Sequence, residues 1–194
     1  LAVHRLLQPV LHEPHLRLLC HEGEFQPLLG ELALHKLDAV LADRPAPPNP
    51  ALKTTSQLLG TSAIAWYAPA RWAQAARENF PHSLAQVPLL LPTEHAAVRA
   101  RINHWLEREH IRPHIAGEFE DSALLSTFAA SGMGVMPAPA SLGAHLAQTC
   151  ALEWVGTTPD VHEQFHLIYS ARKVMHPLLT RLLAAAADEM LLNE

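Results

Sequence analysis

Short apolar runs of strand length take turns with apolar residues at helical spacing along almost the whole of this 194-residue chain. That alternation restricts the folds open to it more than any other feature. Leu6, Leu7, Val10 and Leu11 share a helical face that Pro14 ends. His15–Cys20 reads as a strand, and Gly23 breaks it. Phe25, Leu28, Leu29 and Leu32 stripe a second helix, with Pro27 in its first turn, where a missing N–H costs little. Leu37–Leu41 is the next strand. After the proline-rich connection Pro45–Pro50, Leu52–Leu59 and Thr61–Tyr67 read as two further strands, the second stopped by Pro69.

The middle third repeats the pattern. Val87–Leu91 is a strand closed by Pro92, and Val98, Ile102, Trp105 and Leu106 stripe a helix from about Ala96 to His110. Ile115–Phe119 is a strand. Leu124, Leu125 and Phe128 belong to a helix with Gly132 as its terminal glycine, and Val135–Met136 is a short strand. Leu152–Val155 and Phe165–Tyr169 are the last strands. Pro177 opens a final helix striped by Leu178, Leu179, Leu182, Leu183, Ala186 and Met190. Strands alternating with helices imply an α/β class with parallel pairing and right-handed crossovers. Crossovers near Gly60–Tyr67 and Gly156–His162 suggest two Rossmann-like subdomains joined by two strands. The first would comprise 1–64 and 163–194, the second 65–162.

Composition narrows the function. With 49% hydrophobic residues the chain can bury a core without disulfides or a structural metal. Its formal charge of −5 and scattered basic residues repel phosphate, so this chain alone is not expected to bind nucleic acid. Cys20 and Cys150 make no disulfide framework; they suit a reducing cytosol and read as small buried hydrophobes. No apolar run reaches the roughly 18–20 residues of a membrane span, and no signal peptide opens the chain. Because it starts at Leu1, we expect a fragment of a longer protein.

No nucleophile elbow, phosphate-binding glycine loop or paired-histidine zinc motif is present, so neither an enzyme nor a cofactor is expected. Fourteen histidines invite a pH-sensing role, but none shows metal-ligand spacing, and most read as surface residues. Ligands of open α/β sheets sit where strands end and helices begin. Those points are Gly23, Glu24 and Phe25; Thr93 and Glu94; and Glu120, Asp121 and Ser122, with Thr61, Ser62 and Trp66 behind them. Capping is the leading reading of Thr93, with ligand binding the alternative; Asp121 or Ser122 should cap the helix that follows. Glu118, Glu120 and Asp121 form an acidic cluster that reads first as a solvated face and, alternatively, as oxygen ligands for a hard cation.

The segment Thr127–Pro137, Thr-Phe-Ala-Ala-Ser-Gly-Met-Gly-Val-Met-Pro, resembles the glycine-rich signature of the effector-binding domains of LysR-type transcriptional regulators. Residues 28–41 look like that family's helix and following strand. Ala116–Leu125 and His162–Arg172, continuing to His176-Pro177, resemble the branch that regulates Na⁺/H⁺ antiporter genes. The resemblance implies two subdomains of type 2 periplasmic-binding-protein architecture and a small-molecule or ion effector between them. It implies homo-oligomers, dimeric or tetrameric, in a cytoplasmic protein, and DNA contact only through a winged helix-turn-helix that this chain lacks. A solute-binding protein of the same architecture is the competing expectation.

Overall fold

The computed structural model describes residues 6–49, 53–171 and 176–191. It divides into two compact units, Leu1–Gly60 with Gln164–Glu194, and Thr61–Glu163. The strands are β1 (Ala39–Ala42), β2 (Thr54–Pro69), β3 (Pro88–Pro92), β4 (His114–Phe119), β5 (Met136–Pro139) and β6 (Leu152–Ser170). The helices are α1 (Phe25–Ala33), α2 (Ala70–Arg77), α3 (Ala97–Arg108), α4 (Ser122–Ala130), α5 (Gly143–Cys150) and α6 (Pro177–Leu191). One sheet has the order β1-β6-β2-β5; β3 and β4 form a second pair.

In the first unit β1 lies antiparallel to β6, with Val40 opposite Ile168 and Leu41 opposite Leu167. Successive side chains on a strand point to opposite faces. Val40 and Ile168 therefore pack with Leu29 and Leu32 of α1. Ala39, Leu167 and Tyr169 take the other face, against Leu179 and Leu182 of α6 and Val10.

The second unit repeats this on a larger scale. Ile64, Trp66, Leu89 and Leu91 enter one core, shared with Ala73 and Ala76 of α2 and Val98, Ile102 and Trp105 of α3. Their neighbours Ala65, Tyr67 and Leu90 enter another, shared with Leu125 and Ala129 of α4 and Leu146 of α5. Tertiary β3–β4 pairing is parallel, while β2 and β5 are antiparallel.

The glycine pair of the 127–137 motif has a physical basis. Gly132 sits at φ +97°, a backbone region that side chains disfavour. At Gly134 a β-carbon would lie 2.6 Å from the Pro88 carbonyl oxygen. That close approach lets Leu90 and Val135 exchange backbone hydrogen bonds with the neighbouring strand: Leu90 N–H donates to Val135 O and Val135 N–H to Pro88 O, both at 2.8 Å.

Several expectations are corrected. His15–Cys20 forms no strand; it runs as irregular chain with Leu18 and Leu19 exposed at 49% and 71% and Cys20 exposed, and among the described residues no strand pairs with it. The two strands expected at 52–59 and 61–67 are one strand, β2, running through Gly60; Leu52 lies outside the described residues. Leu152–Val155 and Phe165–Tyr169 likewise merge into β6, and Gly156 is a packing glycine, since the Phe80 ring lies 2.6 Å from where a β-carbon would stand. Glycine permits a break but does not force one when the ladder continues. Among the described residues β3–β4 pair in parallel and Leu89 bridges Val135 in parallel, whereas β1–β6 and β2–β5 are antiparallel. The helices α2 and α5 were not anticipated, because their buried faces are largely small alanines or a single leucine. At the N-terminus only residues 6–10 are seen to be helical, ending in a 3₁₀ turn; residues 1–5 of the expected helix lie outside the described residues, as do the side chains of Ala186 and Met190.

His166, 8% exposed on β6, is a buried exception among histidines expected to lie mostly at the surface. Its Nε2 lies 3.3 Å from Gln164 Oε1 and its buried Nδ1 has no hydrogen-bond partner. Burial holds the imidazole below the usual histidine range, with Asp43 opposing the shift. A lowered folded-state value means that the neutral ring is favoured. Stability is then full above the ordinary histidine pKa of about 6.5 and falls as pH drops through it. Urea denaturation at pH 7.5 and 5.5 should show this loss, and His166→Gln should diminish it; an undiminished loss in the variant would contradict the assignment. Gly134→Ala should destabilise the chain by about 1–3 kcal/mol through overpacking against Pro88, measured as a lower urea midpoint.

Candidate functional site: the carboxyl edge of the parallel strand pair

In the second unit, β3 and β4 end side by side, with Pro92 opposite Phe119. The loops leaving them, with the first residue of α4, carry five of the residues predicted from the sequence. Thr93 N–H donates to Phe119 O at 3.0 Å, joining the two loops directly. Thr93 and Glu94 thus stand beside Glu120, Asp121 and Ser122. Glu94, Glu120, Asp121 and Ser122 are exposed, and Thr93 is half-buried.

The loops are fixed by local chemistry. Asp121 adopts extended backbone ahead of α4, and its Oδ1 accepts from Leu124 N–H at 2.5 Å. This satisfies one of the N–H groups that a helix start leaves unpaired. Phe119 tilts against Phe128 of α4 with ring centroids 5.1 Å apart. The other loop differs from expectation. Thr93 does not cap a helix, because α3 begins later, at Ala97, and its cap position is Ala96, with no side-chain bond. Thr93 contributes backbone instead: its carbonyl accepts from Ala96 N–H at 3.2 Å. Glu94 consequently lies before the helix and not in its first turn.

Reading the acids as a free cluster also fails in part. Glu118 is ion-paired with Arg99 at 2.5 Å. Arg99 is only 5% exposed, and its Nε also donates to Asn103 Oδ1 at 2.9 Å. Sequence reasoning passed over it. The signal was a cation at 99, three residues before Ile102 and seven before Leu106, on the apolar stripe of α3. Among the described residues no group of three or more His, Cys, Asp or Glu side chains is arranged to hold a metal.

Other predicted residues fall elsewhere. Trp66 is fully buried, tilted against Trp105 with centroids 6.0 Å apart, and its indole N–H donates to Thr158 Oγ1 at 3.0 Å. Its alternation on β2 turns it into the core, so it is not a lining residue. Thr61 is exposed, and Ser62 Oγ accepts from Ser141 N–H at 3.2 Å. In the first unit, Gly23 and Glu24 are exposed ahead of α1; Glu24 occupies the cap position without a side-chain bond, and the Arg44 guanidinium lies 5.4 Å from the Phe25 ring centroid.

Strands covered by helices on both faces, two long strands passing between two units, and a polar carboxyl edge define an α/β effector-binding domain of the type 2 periplasmic-binding-protein-like fold. The family model described as LysR substrate binding domain matches residues 4–191, and the chain belongs to that family. It is 26% identical over 185 residues to the transcriptional activator protein NhaR of Escherichia coli K12, covering 92% of this chain and 60% of that protein. It is 28% identical over 196 residues to the nitrogen assimilation regulatory protein nac of the same strain, covering 97% and 59%. The chain thus spans about three-fifths of the length of these relatives. Among solved structures it resembles CbnR, a LysR family transcriptional regulator (TM-score 0.73, 15% identity, 96% of this chain and 64% of that one). It also resembles the BenM effector binding domain with its effector benzoate (0.68, 16%, 98% and 85%) and the sulfate-bound regulatory domain of an OxyR2 mutant from Vibrio vulnificus (0.70, 16%, 96% and 88%).

Asp121→Ala should cost about 0.5–2 kcal/mol through loss of the cap, whereas Thr93→Ala should leave the start of α3 unaffected. Thermal melts and circular dichroism of the two variants check this; equal losses would contradict the cap assignment.

Proposed function

We propose that this chain is the effector-sensing domain of a cytoplasmic, homo-oligomeric LysR-type transcriptional regulator that controls a Na⁺/H⁺ antiporter gene in response to ion or pH stress. The observation that carries the reading is the family match along residues 4–191. The similarity to the activator NhaR, together with the resemblance of residues 116–125 and 162–172 to antiporter-gene regulators, supports the branch. The chain does not itself contact operator DNA, since its formal charge of −5 opposes phosphate. It is a sensor and not a catalyst.

The effector engages the carboxyl edge of β3 and β4 in the second unit through Thr93, Glu94, Glu120 and Ser122. The exposed acids at this edge oppose an anionic effector and favour a small cation. Signalling further requires that the effector bind two conformations with different affinity.

Titration with NaCl, LiCl and KCl at matched ionic strength should raise the melting temperature more for Na⁺ and Li⁺ than for K⁺. Equal shifts for the three salts would remove direct cation sensing. Operator binding by this chain alone in a gel shift at physiological salt would overturn the division of labour.

A further inference from the structure

A charged guanidinium buried at the root of the candidate site requires a reason. Burying a cation costs several kcal/mol unless its charge and donors are matched. Arg99 meets that requirement at one point. Its Nη1 lies 2.5 Å from the Pro92 carbonyl oxygen, at the end of β3, and 2.5 Å from Glu118 Oε1, near the end of β4. Its Nε is tied to Asn103 one turn along α3. The helix therefore delivers a fixed positive charge to the place where the two strands terminate.

We propose that Arg99 is a positioning residue for this edge: a tethered cation that holds Pro92 and Glu118 on one nitrogen and so fixes the loops carrying Thr93, Glu94, Glu120 and Asp121. Glu118 is half exposed, with 47% of its side chain accessible, against 6% for Arg99. The carboxylate could be solvated by water; the guanidinium could not. Two oxygens converging on one point form part of what an oxygen-preferring cation demands of a site. Arg99 fills that point from within, leaving the exposed acids Glu94 and Glu120 to meet a diffusible effector. The consequence for effector selection rests on the reading of this edge as the effector site, whereas the clasp does not.

The test uses the 194-residue chain and no effector. Arg99→Met removes the tethered charge while keeping a long apolar stem. In that variant CaCl₂ at millimolar concentration should raise the melting temperature by a few degrees more than it does in wild type, an increment that Arg99→Met/Glu118→Gln loses. A general structural role for Arg99 would lower stability without creating a calcium response that depends on Glu118. Glu118→Gln alone alters a half-exposed side chain and carries the test if the arginine variant does not fold. In it, the Thr93 amide should exchange with deuterium about tenfold faster, as expected when the ion pair to the buried guanidinium is lost. Absence of the calcium response in Arg99→Met, its persistence in the double variant, or unchanged Thr93 exchange in Glu118→Gln would overturn the proposal. Failure of every salt to stabilise wild type selectively would count against the cation reading and leave these outcomes standing.

Discussion

Burial on both faces of the central strands is the constraint on which the second unit depends. Ile64, Ala65, Trp66 and Tyr67 are consecutive on β2 and all buried, as are Leu89, Leu90 and Leu91 on β3. A strand sends successive side chains to opposite sides, so such a run leaves no face for water. Each fully buried large apolar side chain contributes about 1.5–3 kcal/mol. That driving force draws α2 and α3 onto one side and α4 and α5 onto the other. The first unit obeys the same rule with one helix per face, α1 over Val40 and Ile168 and α6 over Leu167.

With both faces of β3 sealed and β4 partly exposed beside it, the ends of the strands are left to carry polar chemistry. The carboxyl ends of β3 and β4 emerge together because the pair is parallel, and their loops are joined by the bond from Thr93 to Phe119. The acids there divide into two kinds. Glu118 is bound to Arg99, and Asp121 is committed to the first turn of α4. Glu94 and Glu120 are exposed. Net charge and the architecture of the edge thus have different owners, which is why a count of carboxylates overstates the vacancy open to a cation.

The motif that carried the family resemblance has a structural account. Gly132 lets the chain turn out of α4 in a left-handed conformation, and Gly134 removes the side chain that would collide with the Pro88 carbonyl. Both act on the position of Val135, which binds the neighbouring strand through Leu90 and Pro88. The signature therefore reports how closely a helix–strand connection may approach β3, and it says nothing about the ligand. This is a reason for the family to be legible from one segment while the effector is not.

Local sequence pattern was enough to place the α/β alternation, the stripes of α1, α3, α4 and α6, a cap at Asp121 or Ser122 and the turn at Gly132, because each depends on residues within a few positions of one another. Tertiary structure alone decided the rest. Continuity of β2 through Gly60 and of β6 through Gly156 depends on pairing partners and on the Phe80 ring, all distant in sequence. The antiparallel direction of β1–β6 and β2–β5 depends on which long strand returns beside which. Trp66 looked like a cleft residue until alternation and Trp105 assigned it to the core, and Arg99 was one polar interruption in a helix until Pro92 and Glu118 gathered around it. A pattern records which side chains avoid water; which groups they meet is settled only when separate segments pack.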